Sequence, residues 1–428
     1  MLDGVPAREP SPLPADEATP APTDPVVLGS VPGWPLWVEA GRDGSASVLS
    51  ADGTLLWVSA RAPDAPLRIA SGLVGEQLAA CGPALLVVDE RGALRRLPRA
   101  PELPIASIAG PDASRYHRPV CTTDGDVLAL DPLGHVLLLS RELELQARAA
   151  VAALPDAELV LVDLDDGPAV AVLSQPTQRY RHGTLGDEVE AGALTLLRLP
   201  DLQRLATWQP AWPAVIEERR PTPWRAQGVT GLYVTVSDDE VGARLVSLVW
   251  DGETLSPLAE GAPLGASQRW LHLIGVGDDR AYGVHDPRDD GTFVRYRLPA
   301  GAVGLARTLG EPLALHAATY PLELESHLDG ERLLDRALAL GPLEDGGDLL
   351  LAPHRDQRTL AWLRCDERTC EQLEQVHLPA RLATNLSPGP PQGRATSVVL
   401  ADRAGTVWSL PLPLPLADEA TEDGAGQR

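Results

Sequence analysis

Apolar runs alternate along this chain with short polar turns, and one phrase keeps returning: an apolar run, an Asp, two residues, a Gly, then a second apolar run. It reads ALLVVDERGALRRL, DVLALDPLGHVLLL and SVVLADRAGTVWSL, turning at Asp89 to Gly92, Asp131 to Gly134 and Asp402 to Gly405. A tighter version, SVLSADGTLLWV, turns at Asp52-Gly53. Apolar and β-branched runs on either side of a turn built on Asp and Gly predict β-hairpins. Other acidic turns, Asp43-Gly44, Asp124-Gly125 and Asp345-Gly346, recur at a common place in the pattern, as structural turns do.

Aligned on these hairpins, the chain divides into four-strand units with a period of about 40 residues, the signature of β-propeller blades. The first unit runs from PLWVEAGRDG to APLRIASG, the fifth starts near Trp224, and the sixth starts near Trp270 with AVGLARTLG as its fourth strand. The eighth is short (SVVLADRAG, TVWSLPLP) and lacks an outer strand, whereas Val26 to Val31 (VVLGSV) precedes the first unit without a partner. Adding that N-terminal strand to the last blade closes the ring and removes an open edge. The expected fold is all-β: a single propeller of about eight four-stranded blades over residues 26–416. Seven blades is the alternative, because the eighth inner strand is poorly defined in RLATNLSPGPPQG. Residues 1–25 are rich in Pro, Ala and acid, and 417–428 form an acidic tail; both read as disordered.

GDVLALDPLGHVLLL (Gly125 to Leu139) resembles the PQQ-like propeller repeat, whose pattern is strand, Leu-Asp, two residues, Gly, strand. ALLVVDERGALRRL is a looser match, and AELVLVDLDDGPAVAV resembles the strand and acidic loop of FG-GAP-type repeats. The resemblance touches most blades at the level of shape. It implies a propeller and, often in such proteins, a protein-binding role. The Trp that ends many PQQ-like repeats is mostly missing, with Trp57 and Trp408 at other offsets, which argues against a PQQ-dependent dehydrogenase. No cofactor is expected.

Composition narrows the chemistry. The net charge of −24 disfavours nucleic acid and anionic membrane surfaces, which reward positive charge. All 36 basic residues are Arg, while Asn, Phe and Met each occur once, a pattern of codon bias in a high-GC bacterial genome. Without Lys there is no Schiff base, P-loop lysine or Ser-Lys dyad. The nine His show no HxH or HExxH spacing, and no GxSxG occurs. No apolar run reaches the ~18 residues of a membrane helix. Residues 1–25 lack the basic and apolar regions of a signal peptide, which taken literally means cytoplasm. A periplasmic or extracellular place is expected if a signal precedes this sequence.

The cysteines bear on that choice. Cys365 and Cys370 flank a hairpin turn in TLAWLRCDERTCEQLEQV, where opposed residues approach closely enough for a disulfide, and a disulfide favours an oxidising compartment. Cys81 and Cys121 occupy similar places in successive repeats, just before their hairpins; a bridge between neighbouring repeats and two buried thiols are both open.

In a propeller, the turn between a blade's second and third strands shares a face with the linker to the next blade. Three long insertions map to that rim: 175–192, 209–223 and 312–332. The first carries Arg179, Tyr180, Arg181 and His182; the second carries Trp212, Arg219 and Arg220 and is followed by Trp224 and Arg225. Arg and aromatic residues are favoured interface anchors, so this patch is the expected site for a protein partner, an acidic segment in particular, or for an anionic glycan. Asp163, Asp165 and Asp166 of DLDDG alternate with a Gly like the start of a calcium loop, but lack a terminal bidentate acid and read better as a hairpin turn. The functional expectation is a monomeric, non-enzymatic interaction scaffold. The alternatives are a propeller hydrolase or lyase working at the channel mouth, where His285-Asp286 and His354 with Asp356 lie on turns, and a glycan-binding surface protein.

Overall fold

A computed structural model describes residues 24–417, except 42–43, 75–76, 102, 104–105, 154–156, 175–179, 183–186, 190–191, 212–213, 217–220, 227–228, 239, 265–270, 277–279, 286–292, 300–301, 303–311, 321–336, 345, 355, 367–368 and 390–394. The chain forms an eight-bladed β-propeller. Seven blades follow one another from Pro35–Ala40 to Cys370–His377, each with four antiparallel strands built from the channel outward. The eighth is made of Ser387–Gly389, Ser397–Ala401 and Thr406–Pro411, with Val26–Ser30 as its outer strand. The N-terminal strand pairs antiparallel with Thr406–Pro411, Val26 facing Ser409 and Ser30 facing Thr406. The expected closure therefore holds, and the weak inner strand of blade eight is the short Ser387–Gly389 segment.

The continuous apolar runs follow from packing on two sides. Blades stack face to face around the ring, so their middle strands are covered by a neighbour on each face. Such strands read as unbroken hydrophobic runs rather than as alternating ones. Ala84–Val88 and Val127–Leu130 are buried at every position, whereas the outer strand Leu145–Ala150 alternates exposed and half-buried residues. Seams between blades hold the core: Leu28, Val399 and Val407 of blade eight pack with Val38, Val48 and Val58 of blade one.

The repeated Asp-x-x-Gly phrase has two structural consequences. The Asp closes its own turn. Asp89 Oδ1 accepts the amides of Arg91 and Ala93 at 2.9 and 3.0 Å, Asp131 Oδ1 those of Leu133 and His135 at 2.9 Å, and Asp402 Oδ1 those of Ala404 and Thr406 at 2.9 and 3.1 Å. The Gly then holds the outgoing linker. The carbonyls of Gly92, Gly134 and Gly405 accept the amides of Ala113, Ala153 and Val31 at 2.8, 2.9 and 2.8 Å. Gly405 sits at φ +86°, and a Cβ there would lie 2.3 Å from the Val31 carbonyl, so both its conformation and its contact require glycine. Blade seven reaches the same left-handed geometry with Gln357 at φ 57°, whose carbonyl accepts the Leu382 amide at 2.6 Å.

Blade six departs from the expected layout. Its outer strand is His316–Tyr320, and Leu313–Ala314 adds in parallel to the outer strand of blade five; residues 303–310 of the segment expected in that place lie outside the described residues. The first part of the 312–332 insertion is thus sheet rather than a rim loop; residues 321–332 lie outside the described residues. Blade five is also elaborated: Val215–Ile216 and Thr222–Ala226 line the inner edge of the long strand Val229–Ser237 in succession.

Both cysteine pairs are bonded. Cys365 and Cys370 face each other across the hairpin, with Cα atoms 4.0 Å apart. Cys81 and Cys121 join the inner strands of blades two and three across a sequence separation of 40.

Candidate interaction face

Strand direction sorts every connection onto one of two faces. The second-to-third-strand turns and the interblade linkers share what is called here the linker face. The first-to-second and third-to-fourth turns make the opposite face. Among the described residues, the large hydrophobic side chains that are exposed at turns or linkers are Trp34, Val74, Tyr116, Leu133 and Val241. All five stand on the linker face. The other exposed ones, Val26, Val27, Leu67 and Leu145, lie on outer strands.

Trp34 and Tyr116 are the aromatic residues of this set. Trp34, 52% exposed, stands on the linker between blades eight and one, where its carbonyl accepts the Ala51 amide at 2.8 Å. The Arg403 guanidinium lies over its ring at 5.2 Å. Tyr116, 46% exposed, stands on the linker between blades two and three, with Arg115 over its ring at 4.5 Å and donating to its hydroxyl. Each pair joins a flat apolar surface to a fixed cation, the chemistry of an interface anchor.

The residues expected to form the patch on blades four and five are described only in part. Arg179, Trp212, Arg219 and Arg220 lie outside the described residues. Within the first insertion, the backbone of Tyr180–His182 pairs antiparallel with Asp187–Val189 as a two-stranded ribbon. Trp224 is a correction. It is 2% exposed, tilted against Tyr233 with ring centroids 6.0 Å apart, and laid over Gly231, where a Cβ would come within 2.3 Å of its ring. It is a core plug of blade five and unavailable to a partner. Arg225 is exposed, but on the inner strand beside it, paired with Thr230.

The acidic DLDDG segment is a two-residue hairpin turn in which Leu164 pairs with Gly167, with Asp163, Asp165 and Asp166 exposed. Among the described residues no group of three or more His, Cys, Asp or Glu could hold a metal ion. Asp356 is taken up in its own turn, accepting the Arg358 and Thr359 amides at 2.8 Å. His285 ends the second strand of blade six, and Asp286 lies outside the described residues.

Among the described residues, two charged clusters lie at the seams between blades. At the first blade, Glu39 Oε1 accepts from Arg118 at 2.7 Å and from the Trp37 indole at 3.1 Å, with Arg99 4.0 Å from its other oxygen. Between blades six and seven, the Tyr282 hydroxyl donates to buried Asp348, which also faces Arg280 Nε at 3.3 Å, and Arg295 donates to Tyr282 at 3.2 Å. Burial, then the charge of Asp348, pushes the Tyr282 phenol above its ordinary value. Sequence reading missed both clusters, because their members come from different blades. It also missed Trp34 and Tyr116. A signal for the second existed: SRYHRP around Tyr116 places Arg beside Tyr and His as QRYRHG does around Tyr180.

Comparison with solved structures places the fold. The chain is similar to the computationally designed Ika8 protein, with a TM-score of 0.53 at 12% identity, covering 90% of this chain and 99% of that one. At this identity the likeness is one of fold. BamB from Moraxella catarrhalis aligns over 92% of this chain and 97% of its own at 12% identity, with a TM-score of 0.45. No protein-family model and no curated protein sequence matches the chain. Among the described residues no helix is long and apolar enough to cross a membrane.

Proposed function

We propose that this propeller is a non-catalytic scaffold that binds another protein through its linker face. The observation that carries the reading is the segregation of exposed apolar anchors: Trp34, Val74, Tyr116, Leu133 and Val241 share that face. A rigid ring presenting such anchors binds with little ordering cost, because linker and turn are already fixed by the Gly92, Gly134 and Gly405 carbonyls. In this reading Arg179, Tyr180, Arg181, His182, Trp212, Arg219 and Arg220 extend the face over blades four and five.

The test is site-specific photo-crosslinking in native extract. A crosslinker is placed in turn at Trp34, Tyr116 and Leu133, and on the opposite face at Asp64, Asp124 and Glu344. The expected result is one common protein captured from the three linker-face positions and absent from the others. Capture from the opposite face alone, or equal capture from both, would overturn the reading.

A further inference from the structure

The chain carries a net charge of −24, and among the described residues the exposed charges are not spread evenly between the two faces. Over the arc from blade seven through blade eight to blade three, the linker face exposes Arg91, Arg115, Arg358, Arg381 and Arg403 among the described residues. Its exposed acids on the same arc are Asp52, Glu90 and Asp356, with Asp112 at the linker end of the outer strand of blade two. Two of these are engaged in their own turns, Asp52 by the Thr54 amide at 3.0 Å and Asp356 as above. On the opposite face the same blades expose Asp64, Asp124, Glu142, Glu144 and Glu344 against Arg61 and Arg141. Blades four and five add exposed Asp165, Asp166, Asp201, Asp251 and Glu253 to that face, against exposed Glu240 on the linker face of blade five. A protein this acidic would, without segregation, surround every exposed aromatic with carboxylates. Among the described residues, the two exposed aromatic rings of the linker face each carry an arginine, at 5.2 and 4.5 Å.

We propose that the partner bound by this arc is an acidic protein segment carrying apolar side chains, received between the Trp34/Arg403 and Tyr116/Arg115 pairs. This rests on the scaffold reading and specifies its partner. The reasoning is charge complementarity. A carboxylate brought to either ring meets a guanidinium already held in place, while the apolar side chain beside it covers the indole or phenol face. Arg91 and Arg381 lie along the same arc, Arg381 tied to Arg403 by a 2.7 Å backbone hydrogen bond. The acidic opposite face repels the same segment, which sets its side of approach and raises the rate of productive encounter.

The experiment measures three probes on the full chain by calorimetry: a short peptide of Glu and Phe, the same peptide with Lys for Glu, and a heparin-derived oligosaccharide. Hydrogen exchange reads the site. The expected result is that the Glu peptide binds, weakens as ionic strength rises from about 0.05 to 0.5 M, and protects 31–34 and 113–119. Charge reversal at Arg91, Arg115, Arg381 and Arg403→Glu should weaken it at least about tenfold, while Arg61→Glu with Arg141→Glu leaves it unchanged. Trp34→Ala with Tyr116→Ala, which keeps every arginine, should also weaken it, and guards against a charge-reversed variant that fails to fold. Absent binding, preference for the oligosaccharide, or indifference to charge reversal would overturn the proposal. If the Lys peptide binds equally well on the same linkers, the acidic partner falls and the scaffold reading stands. Loss of linker-face crosslinks in extract would remove the scaffold reading itself.

Discussion

Asn385, the single asparagine of the chain, hydrogen-bonds both backbone groups of Val38, 347 residues earlier in sequence. The Val38 amide donates to Oδ1 at 2.9 Å and Nδ2 donates to the Val38 carbonyl at 3.0 Å. The side-chain amide thus acts as one more backbone unit across the seam between blades eight and one. Ser387 continues the seam by accepting the Ala40 amide at 3.0 Å. Only an amide side chain offers donor and acceptor in this order. Asn385→Asp should keep the first bond and lose the second, and Asn385→Ala should lose both, at a cost of about 2–3 kcal/mol. Urea unfolding of the three proteins tests the order; an alanine variant as stable as wild type would contradict it.

The two disulfides should contribute unequally. On a chain-entropy account a bridge stabilises more when it closes a longer loop. A separation of 40 at Cys81–Cys121 corresponds to about 4 kcal/mol, and a separation of 5 at Cys365–Cys370 to about 2 kcal/mol. Replacing each pair with alanine and comparing unfolding free energies checks the difference. The inter-blade pair should be the costlier loss.

Trp34 and Trp224 should respond in opposite ways to truncation. Trp224→Ala removes a plug buried against Tyr233 and should cost about 3–5 kcal/mol. Trp34→Ala lies at the surface and should change stability by only about 0.5 kcal/mol while weakening capture of the partner. Gly231→Ala should resemble the Trp224 variant, since its Cβ would meet the Leu248 carbonyl at 2.2 Å. Thermal melts and crosslinking yield, measured together, separate the two roles.

Stability should fall in acid, in part through Asp131. Burial raises its carboxyl, but the His135 amide, the His135 ring and the Leu133 amide outweigh that and hold it below the ordinary carboxylate value. A pKa lowered on folding contributes stability that is present above the unfolded value of about 4 and is lost as pH falls through the folded value. Urea midpoints of wild type and Asp131→Asn, followed from pH 6 to pH 3 in about unit steps, should converge at the acid end. A gap that stays constant with pH would show that Asp131 acts only through its shape.

The hairpins, the repeat, the eight units and the closing strand were legible in sequence for a local reason. Each Asp-x-x-Gly turn is closed by its own Asp, so the signal lies within a few residues, and the period of the repeat counts the blades. The unpartnered VVLGSV strand and the incomplete last unit predicted each other. What lay beyond reach depends on contacts between blades. Nothing local to Trp224 or Trp34 says which is buried. That is decided by Gly231, which makes room for one ring, and by the linker between blades eight and one, which leaves the other in solvent. Likewise the sequence carries the net charge, but its division between the faces arises only when strand direction sends alternate turns to opposite sides of the ring. The tertiary structure decided where the arginines and aromatics meet, because it alone brings residues such as Arg403 and Trp34, from the two ends of the chain, to one seam.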